Sequence, residues 1–122
     1  MTNAHEVFYS LEEYVAFEES NPAKHEYLAG RIYAMAGGSA EHARLAAALG
    51  RIIGNGLRAG FNVYSSDLRL WIPAAELATY ADLTVFCRKP EGAANVGYTN
   101  PTVVVEVTSP SSERYDRDEK LG

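Results

Sequence analysis

The spacing of apolar residues changes period several times along this chain, and each change predicts an element. Ser10-Leu11-Glu12-Glu13 fits a capping box, in which a serine hydroxyl and a glutamate three residues on satisfy the first free N–H groups of a helix. That helix should run to about Glu19 and stop at Asn21-Pro22, because the residue before a proline disfavours helical geometry. KHEYLAGRIYAMAGG reads as two short strands around Ala29-Gly30, a β-hairpin ending in Gly37-Gly38. In SAEHARLAAALGRIIGNGLRAG, Leu45, Leu49, Ile52, Ile53 and Leu57 recur at helical spacing. Ser39 suits the N-cap and Gly60 the C-cap of this longest predicted helix.

Alternation takes over in NVYSSDLRLWIP. Ser66, Leu68, Leu70 and Ile72 point one way and Ser65, Asp67, Arg69 and Trp71 the other, as in a half-buried strand. TYADLTVFC predicts a second strand, with Asp82 and Thr84 on one face and Leu83 and Val85 on the other. RKPEGAANVGYTNP is a polar, glycine-rich loop, and TVVVEVTS predicts a third strand, nearly apolar on both faces as a central strand is. Pro110 ends it, and Ser111 or Ser112 can cap a further helix. The order predicts a mixed α/β fold with a layer of helices on a sheet.

At 122 residues the chain should be one domain with a modest core. Its 47% hydrophobic and 22% charged residues are those of a globular protein, not a disordered one. No apolar run approaches the roughly 20 residues that span a bilayer, MTNAHEVFYS lacks a basic–apolar signal pattern, and the single Cys87 can form no internal disulfide. These features predict a cytoplasmic protein with no membrane partner and Cys87 as a small buried strand residue. The formal net charge of −5 does not announce a nucleic-acid binder. A nuclease, however, needs only a local basic track and a metal whose charge a sequence count misses. Arg44, Arg51 and Arg58 recur every seven residues and so define one helical stripe, either such a track or a solvated face.

Two strand carboxylates change the picture. Glu106 lies within the valine run 103–107, and Asp82 among Ala81, Leu83 and Val85. An unpaired carboxylate in an apolar layer costs several kcal/mol, so it needs a partner or a use. On neighbouring strands about 4.8 Å apart the two could meet, and their repulsion is relieved by a hard divalent cation, Mg²⁺ or Mn²⁺. Taken singly, each is better read as a strand-end carboxylate paired with Arg69, Arg117 or solvent.

HEYLAGRIYAMAGGSAEHARLAAALG, YADLTVFC and NPTVVVEVTSPSSERYDRDEK together resemble the Uma-type family of putative restriction endonucleases, bacterial proteins of the PD-(D/E)XK nuclease superfamily. The resemblance rests on Gly37-Gly38-Ser39, His42, Asp82, Asn100-Pro101, the Glu106-Val107-Thr108-Ser109-Pro110 strand end, Tyr115-Asp116-Arg117 and Lys120. It implies a restriction-endonuclease-like core, a mixed sheet flanked by helices behind an N-terminal helix and hairpin. It further implies a Mg²⁺- or Mn²⁺-dependent DNA endonuclease. Asp82 and Glu106 would be the metal-holding acids, assisted by the Val107 carbonyl, and the lysine would lie on the following helix as Lys120 because Thr108 occupies its usual place. Ala81 replaces the motif's proline. His42 would contact phosphate or assist the metal, and Glu26 is a candidate third carboxylate. Family members continue beyond Gly122, so the resemblance implies a C-terminally truncated core whose exposed sheet edge invites homodimer formation. Asp67, close to Arg69 in sequence, reads as a surface ion pair, and the scattered tyrosines as core and rim residues.

The rival reading is a non-catalytic binding or dimerisation module on the same scaffold, favoured by the absent strand lysine and the acidic charge. A glycosidase built on the carboxylate pair explains neither Lys120 nor the motif series.

Overall fold

The Ser10 capping box forms as its sequence predicts: the Ser10 hydroxyl accepts from the Glu13 N–H, and the Glu13 carboxylate accepts from the Ser10 N–H. The computed structural model describes residues 7–93 and 95–108. In chain order its elements are α1 (Leu11–Glu19), β1 (His25–Leu28), β2 (Arg31–Ala34), α2 (Ala40–Gly56), β3 (Phe61–Tyr64), β4 (Arg69–Ile72), a 3₁₀ turn at Pro73–Ala75, β5 (Leu77–Tyr80), β6 (Leu83–Cys87), β7 (Gly92–Ala93), β8 (Gly97–Tyr98) and β9 (Val103–Val105). The stop at Pro110, the helix expected from Ser111 or Ser112, and Tyr115, Arg117 and Lys120 lie outside the described residues. The chain divides into two compact units, one drawn from 7–35, 67–80 and 90–100, the other from 36–66, 81–89 and 101–108.

The first unit carries α1 and a six-stranded mixed sheet ordered β2-β1-β5-β4-β8-β7. Its pairs are antiparallel except β4 with β8. Ala29 and Gly30 join β1 to β2 with φ of 47° and 94°, so both turn residues are left-handed, the backbone twist that a two-residue hairpin demands. Tyr14 of α1 is fully buried against Tyr27 and Ala78, with Leu11, Val15, Ile32 and Trp71 packed around them. The Tyr14 hydroxyl donates to the His25 carbonyl at 2.6 Å and that of Tyr27 to the Tyr9 carbonyl at 2.9 Å, so both rings enter the core with their polar ends satisfied.

A buried polar network ties α1 to the sheet. Glu18 accepts from the His25 N–H at 2.7 Å and the Tyr80 hydroxyl at 2.8 Å, and meets His25 Nδ1 at 3.0 Å. Arg69 donates to the Tyr80 hydroxyl at 3.2 Å and the Asn95 carbonyl at 2.7 Å, holding the β7–β8 hairpin, and its guanidinium lies over the Tyr14 ring. Burial pushes the Tyr14 and Tyr80 phenols above their ordinary pKa, and the Glu18 carboxylate adds to the effect at Tyr80.

In the second unit, β3, β6 and β9 form an antiparallel sheet in the order β3-β6-β9. Gly50 and Gly54 bring α2 close to Leu83 of β6 and Val63 of β3, and Tyr64 meets the buried Phe86 edge-on at 5.3 Å. Leu49, Ile53 and Leu57 are half-buried, whereas Leu45 and Ile52 are exposed.

Several expectations need correction. NVYSSDLRLWIP is not one strand: β3 and β4 belong to different sheets, with a turn at Ser66-Asp67. TYADLTVFC likewise divides into β5 and β6 at Ala81-Asp82. Side-chain alternation runs through both corners, so period alone does not show where the backbone leaves one sheet. The polar loop 88–101 contains the short β7–β8 hairpin. Helix α2 ends at Gly56 with Leu57 as its cap, since Gly54, Asn55 and Gly56 are poor helix formers; Gly60, at φ 93°, serves the turn into β3 instead. Arg58 therefore lies beyond the helix and off the predicted stripe. Cys87 is exposed. Among the described residues β9 has one neighbour, and its Val103 and Val104 are 47% and 49% exposed, so it is not a doubly buried central strand. Among the described residues no helix is long and apolar enough to cross a membrane.

Candidate metal and catalytic site

Asp82 stands at the corner where the chain enters β6. Beside it, β6 and β9 run antiparallel with Leu83 opposite Val105, Thr84 opposite Val104 and Val85 opposite Val103. The ladder ends at Leu83 and Val105, and Asp82 and Glu106 lie immediately beyond that last pair, at the same end of the two strands. Glu106 is not embedded in a buried strand: it lies just past β9 and is exposed. The valine run around it thus buries no ionised group.

Asp82 is held from two sides. The Val107 N–H donates to its Oδ2 at 2.6 Å, and His42 Nε2 meets the same oxygen at 3.2 Å. Among the described residues its Oδ1 takes no hydrogen bond. The two side chains are mostly shielded, 19% exposed for His42 and 17% for Asp82. One carboxylate oxygen is thus spent on fixing the group.

The sequence places His42 there through helix capping and a glycine. Ser39 Oγ accepts from the His42 N–H at 3.1 Å, starting α2 so that His42 falls in its first turn. A Cβ on Gly38 would lie 2.7 Å from His42 Nδ1 and 3.1 Å from its Cγ, so the imidazole rests against bare backbone. Gly38→Ala should therefore turn the ring away from Asp82 while costing little fold stability, since Gly38 is exposed and lies outside the regular elements. NMR nuclear Overhauser contacts between the His42 ring and the residues around Asp82 read this directly, and they should weaken in the variant. Unchanged contacts would show that Gly38 does not constrain the ring.

The predicted site residues are only partly gathered. His42, Asp82 and the 106–107 backbone meet in the second unit. Glu26 belongs to the first unit, where it is 2% exposed and accepts a hydrogen bond from the Thr79 hydroxyl across β1 and β5. Lys120 lies outside the described residues. Among the described residues no three His, Cys, Asp or Glu side chains group closely enough to hold a metal ion. Asp67 forms a surface ion pair, with Lys24 at 2.9 Å and not with Arg69. Sequence reasoning assigned Val107 a role through its carbonyl and missed its N–H donating to Asp82; it quoted Gly38 as a motif residue without its reason. A glycine four residues before a histidine at a helix start was the available signal.

The sequence profile of the family described as "Putative restriction endonuclease" (Uma2) matches residues 11–122. The chain belongs to the Uma2 family. Two uncharacterized proteins of Synechocystis sp. are similar to it, one 40% identical over 113 residues (92% of this chain and 60% of that protein), the other 36% identical over 115 residues (90% and 64%). The chain thus spans about three fifths of the length of these relatives. In fold it is similar to the crystal structure of a putative nuclease of the DUF820 group from Anabaena variabilis. The TM-score is 0.67 at 17% identity, covering 92% of this chain and 65% of that one. The Uma2 chain therefore has a nuclease-like mixed α/β fold, as the sequence predicts.

Proposed function

We propose that this Uma2-family chain forms the metal-binding part of a DNA endonuclease that hydrolyses phosphodiester bonds. The observation that carries the reading is Asp82, fixed through Oδ2 by His42 and the Val107 N–H, with Glu106 next to Val107 at the same end of the β6–β9 ladder. An oxygen donor set of two carboxylates fits Mg²⁺ or Mn²⁺, which prefer carboxylates and water. Asp82 and Glu106 would hold the ion, and its chemistry there is to neutralise the carboxylate pair, polarise a phosphoryl oxygen and acidify a water. His42 acts as a positioning residue, since a hydrogen-bonded carboxylate is a better-oriented ligand. Lys120, at the family's lysine position, is assigned to orienting the attacking water.

The test is incubation of supercoiled and linear duplex DNA with the protein and Mg²⁺ or Mn²⁺. Cleavage that a chelator stops is the expected result; cleavage that persists in the chelator contradicts it.

A second reading, a binding module without catalysis, is favoured by Thr108 in the place of the strand lysine and by the absence of a three-ligand cluster among the described residues. It predicts DNA binding with no cleavage under any divalent ion.

A further inference from the structure

Charge is divided unevenly in this acidic chain. Among described residues, the second unit carries Arg44, Arg51, Arg58, Arg88 and Lys89 against Glu41, Asp82 and Glu106, a positive balance. In the first unit, acidic residues outnumber Lys24, Arg31 and Arg69 by more than two to one. The positive charge is further concentrated at one end of the second unit. The Phe61 N–H donates to the Arg58 carbonyl at 3.1 Å and the Arg88 N–H to the Gly60 carbonyl at 2.6 Å, while Phe61 pairs with Cys87. These bonds bring the loop after α2 and the end of β6 side by side, each presenting an exposed arginine. Of the three arginines of the predicted helical stripe, Arg44 is instead paired with Glu41.

Arg88 adds a second observation. It leaves β6 at φ 69°, a left-handed conformation that a long side chain adopts at a cost and glycine adopts freely. The backbone turn itself gains nothing from an arginine there.

We infer that Arg58 and Arg88, with Arg51 one helical stretch away, bind the phosphate backbone of duplex DNA at a place distinct from the proposed cleavage site. Asp82 and Arg88 bracket β6 six residues apart, about 20 Å at 3.3 Å per residue. That is the rise of roughly six base pairs, so both ends can engage one duplex, the arginines setting position and the carboxylates reaching the scissile bond. The inference rests on the nuclease reading for its choice of DNA as the polyanion.

Fluorescence anisotropy of a labelled 20-base-pair duplex, in chelator across a salt series, tests it. Wild type should bind with a steep salt dependence. Arg58→Ala and Arg88→Gly should each weaken binding several-fold and reduce the log–log salt slope by about one, the loss of one phosphate contact. Arg88→Gly should keep or raise the thermal midpoint, which separates lost contact from lost fold. Unchanged affinity and slope in both variants, or no duplex binding by wild type, overturns the patch. Preference for anionic lipid vesicles over the duplex overturns it too. Because the chelator removes any metal, the assay reads the arginines without the metal site, so failure of the metal site and failure of the patch are told apart.

Discussion

Asp82→Asn is expected to lower Mg²⁺-dependent DNA cleavage by at least about 100-fold, because loss even of a residue that only supports a metal ligand costs 10–100-fold. The substitution is nearly isosteric. An asparagine carbonyl oxygen can still accept from the Val107 N–H, so the corner between β5 and β6 should keep its shape. What disappears is the negative charge of a group whose Oδ1 has no other described partner. His42→Ala should cost less, because His42 touches Asp82 and orients it without itself meeting the ion in this account. Quantitative cleavage of supercoiled DNA, with circular dichroism to show that the fold is retained, checks the pair. Equal activity of Asp82→Asn and wild type would move the chemistry elsewhere.

Glu18→Ala should destabilise the protein by about 3–5 kcal/mol, the cost of breaking a buried charged network by removing one partner. Glu18 is 8% exposed, accepts from the His25 N–H and the Tyr80 hydroxyl, and meets the His25 ring. Alanine removes all three contacts and opens a space where the carboxylate was. Tyr80→Phe removes a single hydroxyl and should cost only about 1 kcal/mol. Urea unfolding of the two variants checks the difference. If Glu18→Ala unfolds within 1 kcal/mol of wild type, α1 is not anchored through this carboxylate.

That network shows what sequence periodicity cannot reach. Glu18 and Tyr80 are 62 residues apart, and neither stands out locally: Glu18 reads as one more acid on a short helix and Tyr80 as a strand aromatic. Only the pairing of β1 with β5 and the packing of α1 bring them together. The capping box at Ser10, the hairpin at Ala29-Gly30 and the start of α2 at Ser39 were legible because each is written in three or four neighbouring residues. The corners at Ser66-Asp67 and Ala81-Asp82 were not. Both lie in stretches whose alternation continues unbroken, and the residue that makes the second corner consequential is the proposed metal ligand itself. Of the proposed site, the paired carboxylates Asp82 and Glu106 were legible as candidates because they sit on consecutive predicted strands. The grip of His42 and Val107 on one oxygen of Asp82 is a tertiary fact across 40 and 25 residues.

Whether Asp82 and Glu106 together hold a divalent cation is tested most directly by calorimetric titration of Mg²⁺ and Mn²⁺ into the protein. Binding by wild type that Asp82→Asn and Glu106→Gln each weaken by at least about 10-fold is the predicted result. Binding undiminished in both variants would contradict it.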